Sequence, residues 1–221
     1  MNPIFPSILS TNFFNLEAKL REFEQNRIDF IHLDIMDGHF VDTISFGPGL
    51  ARALKEKFSF RLDAHLMVSN PAKMIPHFIK AGVDWLSFHV ETTGDTPGLL
   101  QMIRDGNCRA GLVLNPDTSL EQVRPFLRAV DYILVMSVFP GYGGQQFIAA
   151  SLERVAQLKR EIVNQKSHCL LQVDGGINTA NAGLLKEAGA DLFVVGTSLF
   201  NADNIEETVK KFLNQMQWSQ S

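Results

Sequence analysis

The sequence predicts an α/β chain folded as a single-domain (β/α)8 TIM barrel spanning residues 1–221. Three observations carry this expectation. Short apolar runs alternate with amphipathic segments along the chain, the pattern of parallel strands joined by crossover helices. Eight such units follow one another, and closing eight parallel strands leaves no sheet edge to protect. The GxGxxG pattern that would favour an open doubly wound sheet is missing after the first strand.

Each element has its own local reason. Residues 4–9 read as the first strand, with Ser7 near its end. Ser10-Thr11-Asn12 can cap a helix over 16–26. The second strand covers 30–35, and a long loop broken by Gly38, Gly47 and Pro48 leads to a helix over 50–57. The third strand covers 62–66. Asn70-Pro71 then opens a helix that Gly82 stops. The fourth strand covers 85–89, and Thr96-Pro97 starts the next helix. The fifth strand covers 110–114, followed by a helix over 119–128. The sixth covers 132–136, with a loop over 139–146 and a helix over 150–164. The seventh covers 170–173, and its helix, 178–188, stops at Gly189. After the eighth strand, 192–195, Gly196-Thr197-Ser198 reads as a short turn before a last helix over 205–216. Residues 217–221 read as a frayed tail.

Composition narrows the partners. An apolar content of 45% supports a sizeable core. A net charge of −4 with no basic run argues against nucleic acid and against an anionic membrane. It leaves room for a phosphorylated substrate, because backbone amides can hold a phosphate. The two cysteines, Cys108 and Cys169, lie far apart and suggest no disulfide framework. No signal peptide or membrane span is evident, so a cytoplasmic location is expected.

The chemistry is concentrated at strand ends. In His32-Leu33-Asp34-Ile35-Met36-Asp37-Gly38, strand alternation points His32 and Asp34 the same way. His65 ends a second apolar run and Asp174 a third. A lone buried histidine is usually a satisfied core residue. A carboxylate in an apolar strand is costly unless it is paired or bound to metal. Together, His32, Asp34, His65 and Asp174 can hold one divalent cation and leave room for substrate oxygens. Zinc is the first choice for this donor set, with iron(II), manganese or cobalt able to take its place. Of the other histidines, only His89, at the end of the fourth strand, merits reconsideration.

Glycine-bearing loops follow the last three strands: Pro140-Gly141-Tyr142-Gly143-Gly144-Gln145, Gly175-Gly176 and Gly196-Thr197. Bare backbone N–H groups in such loops can hold an anion, and barrels often bind phosphate after strands seven and eight. Met36, Met67 and Met136 share a position at or just past strand ends. Any one of them could be soft core filler, but together they suggest a polarizable lining that donates no proton.

Pro6-Ser7-Ile8-Leu9-Ser10, the run from His32 to Val41, His65-Leu66-Met67-Val68, Met136-Ser137-Val138 with Pro140 to Gln145, and Val173-Asp174-Gly175-Gly176 together resemble the ribulose-phosphate 3-epimerase family. The resemblance runs in order along nearly the whole chain. It implies a metal-dependent barrel that interconverts D-ribulose 5-phosphate and D-xylulose 5-phosphate. It further implies that His32, Asp34, His65 and Asp174 are metal ligands and that Asp34 and Asp174 are the acid/base pair. Ser7 and His65 would touch substrate. Gly141, Tyr142, Gly143, Gly144, Gly175, Gly176, Gly196 and Thr197 would form the sugar and phosphate loops. A homo-oligomer is expected.

Asp42-Thr43, Phe139 and Gly196-Thr197 depart from frequent family residues, and none removes a ligand or an acid/base group. They keep a sister activity on D-allulose 6-phosphate as the alternative. A non-catalytic phosphosugar sensor on the same barrel ranks below both. A decarboxylase or aldolase would favour a lysine at a strand end, and the sequence places none there.

Overall fold

The computed structural model of the chain describes residues 1–92 and 94–218. Eight parallel strands form one sheet: β1 (Ile4–Pro6), β2 (Phe30–Met36), β3 (Arg61–Met67), β4 (Trp85–His89), β5 (Arg109–Leu114), β6 (Tyr132–Met136), β7 (Leu170–Asp174) and β8 (Leu192–Val195). Hydrogen-bonded neighbours run from β2 through β8 in chain order, and β1 pairs with β8. A parallel bridge between Ser7 and His32 joins the first and second strands and closes the barrel. The strands are buried on both faces, as expected where helices cover the outside.

The helices are α1 (Leu16–Gln25), α2 (Pro48–Lys57), α3 (Pro71–Lys80), α4 (Thr96–Asp105), α5 (Ser151–Asn164), α6 (Ala182–Ala188), α7 (Thr197–Phe200) and α8 (Ile205–Gln215). Their apolar stripes pack on the outward faces of the strands. In α5 these are Val155, Leu158 and Ile162, and in α8 Ile205, Val209 and Phe212. The Asn70 and Asn204 side chains accept from the first-turn N–H groups of Lys73 and Glu207, capping α3 and α8.

A second, smaller apolar cluster fills the barrel itself. Phe5, Phe30, Trp85 and Tyr132 plug its N-terminal end, and the Phe5 and Phe30 rings stack 4.3 Å apart. The guanidinium of Arg61 sits 4.2 Å from the Phe30 ring centroid and seals that end. The space left for polar groups therefore lies toward the C-terminal ends of the strands.

Several local expectations are corrected. Residues 119–128 form two single 3-10 turns, Leu120–Gln122 and Arg124–Phe126, instead of a helix. Pro125 has no N–H to donate and its ring would clash with the preceding turn. The first strand stops at Pro6, because Ser7 accepts from the Leu9 N–H and turns the chain into the 3-10 turn Ile8–Ser10. The seventh-strand helix begins at Ala182. Before it, Asn178 and Asn181 hydrogen-bond each other's backbone N–H groups in a turn. Thr197 starts a short helix where a turn was expected. Gln217 and Trp218 are not frayed: the Trp218 N–H donates to the Leu213 carbonyl, and its ring packs on the core. Residues 219–221, the rest of that expected tail, lie outside the described residues. Among the described residues no helix is long and apolar enough to cross a membrane, and both cysteines are free and buried.

Candidate active site

Strand register assembles the site. Cα pairing sets His32 beside Asp63, Asp34 beside His65, Met36 beside Met67, and Met136 beside Asp174. Because alternate residues share a face, His32 and Asp34, Asp63 and His65, and Gln172 and Asp174 all point into the barrel.

His32, Asp34, His65 and Asp174 each offer one ligand atom, and these atoms lie within 4.8 Å of one another. His32 Nε2 is 3.4 Å from Asp34 Oδ1 and 3.9 Å from Asp174 Oδ2. His65 Nδ1 is 3.2 Å from Asp34 Oδ1 and 3.9 Å from Asp174 Oδ2. A tetrahedral zinc centre with arms of about 2.1 Å has edges of about 3.4 Å, so the spacing suits such an ion. His32 Nε2 is moreover buried without a hydrogen-bond partner. An unmatched imidazole nitrogen facing two carboxylates is what a cation site requires.

Neighbouring groups hold His32 and Asp34 in place. Asp63, fully buried, takes three contacts. His32 Nδ1 lies 2.8 Å from its Oδ2, the Tyr132 hydroxyl donates to Oδ1 at 2.8 Å, and the Gln172 amide donates to Oδ2 at 2.9 Å. The Ser7 hydroxyl donates to Asp34 Oδ2 at 2.6 Å. The Ser45 hydroxyl donates to the Asp34 carbonyl at 2.5 Å, tying the loop after β2 to its strand. Asp63, Tyr132, Gln172 and Ser45 escaped the sequence reading. Asp63 carried a usable signal, being a carboxylate in an apolar strand two residues before His65.

Electrostatics separate the two candidate acid/base groups. Burial works against the Asp34 carboxylate, but the charge and hydrogen bonds of His32, and then those of His65, hold its pKa well below the usual range. Burial first, and the Asp34 charge next, push Asp174 up to about 8. His32 is likewise buried, yet the carboxylates of Asp34 and Asp63 raise its pKa well above the usual value. Burial brings His65 down to about 4.

Above this floor lies a cavity of about 250 Å³. Ser7, Asp34, Met36, Met67, Met136 and Asp174 line its base, whereas His32 and His65 lie fully buried beneath it. Gly141, Tyr142, Gly143, Gly144, Gly175, Gly176, Gly196 and Thr197 are among the residues that line its walls. Gly176 has φ +63°, and a Cβ there would stand 2.6 Å from the Phe147 backbone nitrogen, so the position needs glycine. The structure thus brings every sequence-predicted residue to one end of the barrel. It adds Ser10, whose hydroxyl lies 3.2 Å from that of Thr197.

Comparison with known proteins agrees with this geometry. The model of the ribulose-phosphate 3 epimerase family matches residues 3–200. The ribulose-phosphate 3-epimerase of Aquifex aeolicus is 38% identical over 216 residues, covering 98% of this chain and 97% of that protein. The Bacillus subtilis enzyme of the same name is 37% identical, covering 96% of this chain and 98% of the relative. Among solved structures, 3-hexulose-6-phosphate synthase from Salmonella typhimurium superposes with a TM-score of 0.72 at 15% identity, covering 98% of this chain and 100% of that one. At that identity the likeness speaks for the barrel alone. The family model matches nearly the whole chain and these relatives are more than a third identical over almost all of it, and the chain belongs to the ribulose-phosphate 3-epimerase family.

Proposed function

We propose that this chain interconverts D-ribulose 5-phosphate and D-xylulose 5-phosphate with one divalent metal ion, by proton removal and return at C3. The observation that carries the reading is the convergence of His32 Nε2, His65 Nδ1 and the Asp34 and Asp174 carboxylates beneath a glycine-lined cavity. Zinc is the first choice for two imidazoles and two carboxylates, and iron(II), manganese or cobalt suit the same set.

A hydrogen on a carbon beside a ketone is weakly acidic. A bound divalent cation would supply the positive centre that stabilises charge developing on the ketone oxygen. The chain supplies the rest. Asp34 and Asp174 supply two carboxyl groups at the base of the cavity, one to start as base and the other as acid. One carboxylate takes the C3 proton, and the C–H electron pair passes into the C2–C3 bond to give an enediolate. The other carboxyl returns a proton to the opposite face of C3, and the two exchange roles in reverse. Ser7 holds the Asp34 carboxylate, and Met36, Met67 and Met136 add an aprotic wall. The backbone N–H groups of Gly141 to Gly144, Gly175, Gly176, Gly196 and Thr197 are suited to sugar and phosphate oxygens.

Proton NMR in D2O tests the assignment. The zinc-loaded chain is incubated separately with D-ribulose 5-phosphate and D-allulose 6-phosphate. Loss of the C3 proton signal with xylulose 5-phosphate appearing is the expected result. Exchange with the hexulose phosphate alone moves the assignment to the sister activity. No exchange with either overturns the catalytic reading.

A further inference from the structure

His89 and Glu91 have no part in the mechanism above, yet they touch it. His89 is fully buried at the C-terminal end of β4. Its Nε2 lies 2.8 Å from Nε2 of His65, and its Nδ1 lies 3.2 Å from Oε2 of Glu91. The other oxygen of Glu91 accepts from the Asn115 backbone N–H at 2.9 Å and from the Thr118 hydroxyl. Phe40 covers the His89 ring, with centroids 4.6 Å apart.

Two ring nitrogens 2.8 Å apart can share only one proton, so two neutral imidazoles in this row have two proton orders. In the first, His65 Nε2–H donates to His89 Nε2, and His89 Nδ1–H donates to the Glu91 carboxylate. His65 Nδ1 then faces the Asp34 and Asp174 carboxylates with a free lone pair. In the second, His65 carries its proton on Nδ1, where a cation would bind, and His89 carries its own on Nε2. The bare His89 Nδ1 would then face a carboxylate oxygen at 3.2 Å, lone pair against lone pair. The first order has a matching contact, bare His65 Nδ1 against Asp34 Oδ1 at 3.2 Å, but a cation held between those two atoms would relieve it, so with a cation Glu91 favours the first order, the one that leaves His65 able to ligate.

We infer that His89 and Glu91 are positioning residues that set the tautomer of His65, opening its Nδ1 to a divalent cation. The inference rests on the metal-site reading above and extends it two residues outward from the ligands, across β4 to the loops after β4 and β5.

Glu91→Gln separates this role from packing. The Asn115 N–H and Thr118 O–H hold an acceptor on their side, which turns the glutamine NH2 toward His89 Nδ1. A donor there selects the second order in a side chain of almost the same shape. The test is long-range 1H–15N NMR of histidine-labelled wild type with and without zinc(II), together with zinc affinity of both proteins by chelator competition. The zinc-loaded wild type should carry its protons on His65 Nε2 and His89 Nδ1, and Glu91→Gln should bind zinc about 10–100-fold more weakly. Zinc that shifts His65 Nδ1 while His89 is protonated on Nε2 overturns the relay alone. Unchanged zinc affinity in a folded Glu91→Gln chain does the same. Zinc that leaves His65 Nδ1 unshifted overturns the metal-site reading and the relay with it. The wild-type spectra decide the matter even if the variant does not fold.

Discussion

His32 Nδ1 lies 2.8 Å from Oδ2 of Asp63, its neighbour across the β2–β3 pair, and both side chains are fully buried. A carboxylate on one imidazole nitrogen fixes the proton there and aims the other nitrogen at the ligand cluster. In Asp63→Asn one acceptor oxygen becomes a donor facing other donors. Zinc affinity should fall about 10–100-fold by chelator competition. Urea unfolding of the metal-free chain should show a loss of about 1–3 kcal/mol from the unmatched buried groups. Wild-type zinc affinity in this variant would mean that His32 is aimed without Asp63.

Tyr132 reaches Asp63 because its cross-strand neighbour on β5, Gly111, has no side chain. A Cβ on Gly111 would stand 2.4 Å from the Tyr132 ring carbon that bears the hydroxyl. Gly111→Ala therefore pushes the ring and loosens its bond to Asp63. A loss of about 1–3 kcal/mol is expected in denaturant unfolding. Tyr132→Phe combined with Gly111→Ala should not restore it, because the clash is with the ring.

The site should release protons when it takes up a cation. Burial and the Asp34 charge push the Asp174 carboxyl up to about 8 from an ordinary value of 3.8. Its folded value is raised, so its contribution to stability is present at low pH and is lost as pH climbs through about 8. His32, also raised, has the same sign. A cation needs both groups deprotonated. Zinc affinity should thus increase from pH 6.5 to 8, and binding at pH 7 should release at least one proton. Calorimetry in buffers of different ionisation heat measures that release. Proton-neutral binding at pH 7 would contradict the assignment of Asp174 as a ligand.

The barrel and the four clustered side chains were legible in the sequence for a shared reason. A buried sheet demands apolar strands, so a histidine or carboxylate inside one stands out. Asp34 and Asp174 could be read this way because burying a lone carboxylate is costly. Asp63 stood out equally, but its role depends on Tyr132 and Gln172, which lie 69 and 109 residues away in the chain. The part played by His89 depends on how β3 and β4 sit together, which strand-end position alone does not give. Residues 119–128 carry apolar spacing that resembles a helix, and Pro125 outweighs it. Ser7 read as part of a strand, and only its contacts reveal a side chain that both turns the backbone and steadies Asp34.

In the proposed mechanism one of Asp34 and Asp174 removes the C3 proton and the other returns a proton to the opposite face. The most direct measurement is turnover of D-ribulose 5-phosphate by Asp34→Asn and Asp174→Asn, with bound zinc assayed in the same samples. Both variants should fold as barrels, with turnover per bound zinc lower by about 100-fold or more in each. Near-wild-type turnover in both variants, with zinc still bound, would contradict that mechanism.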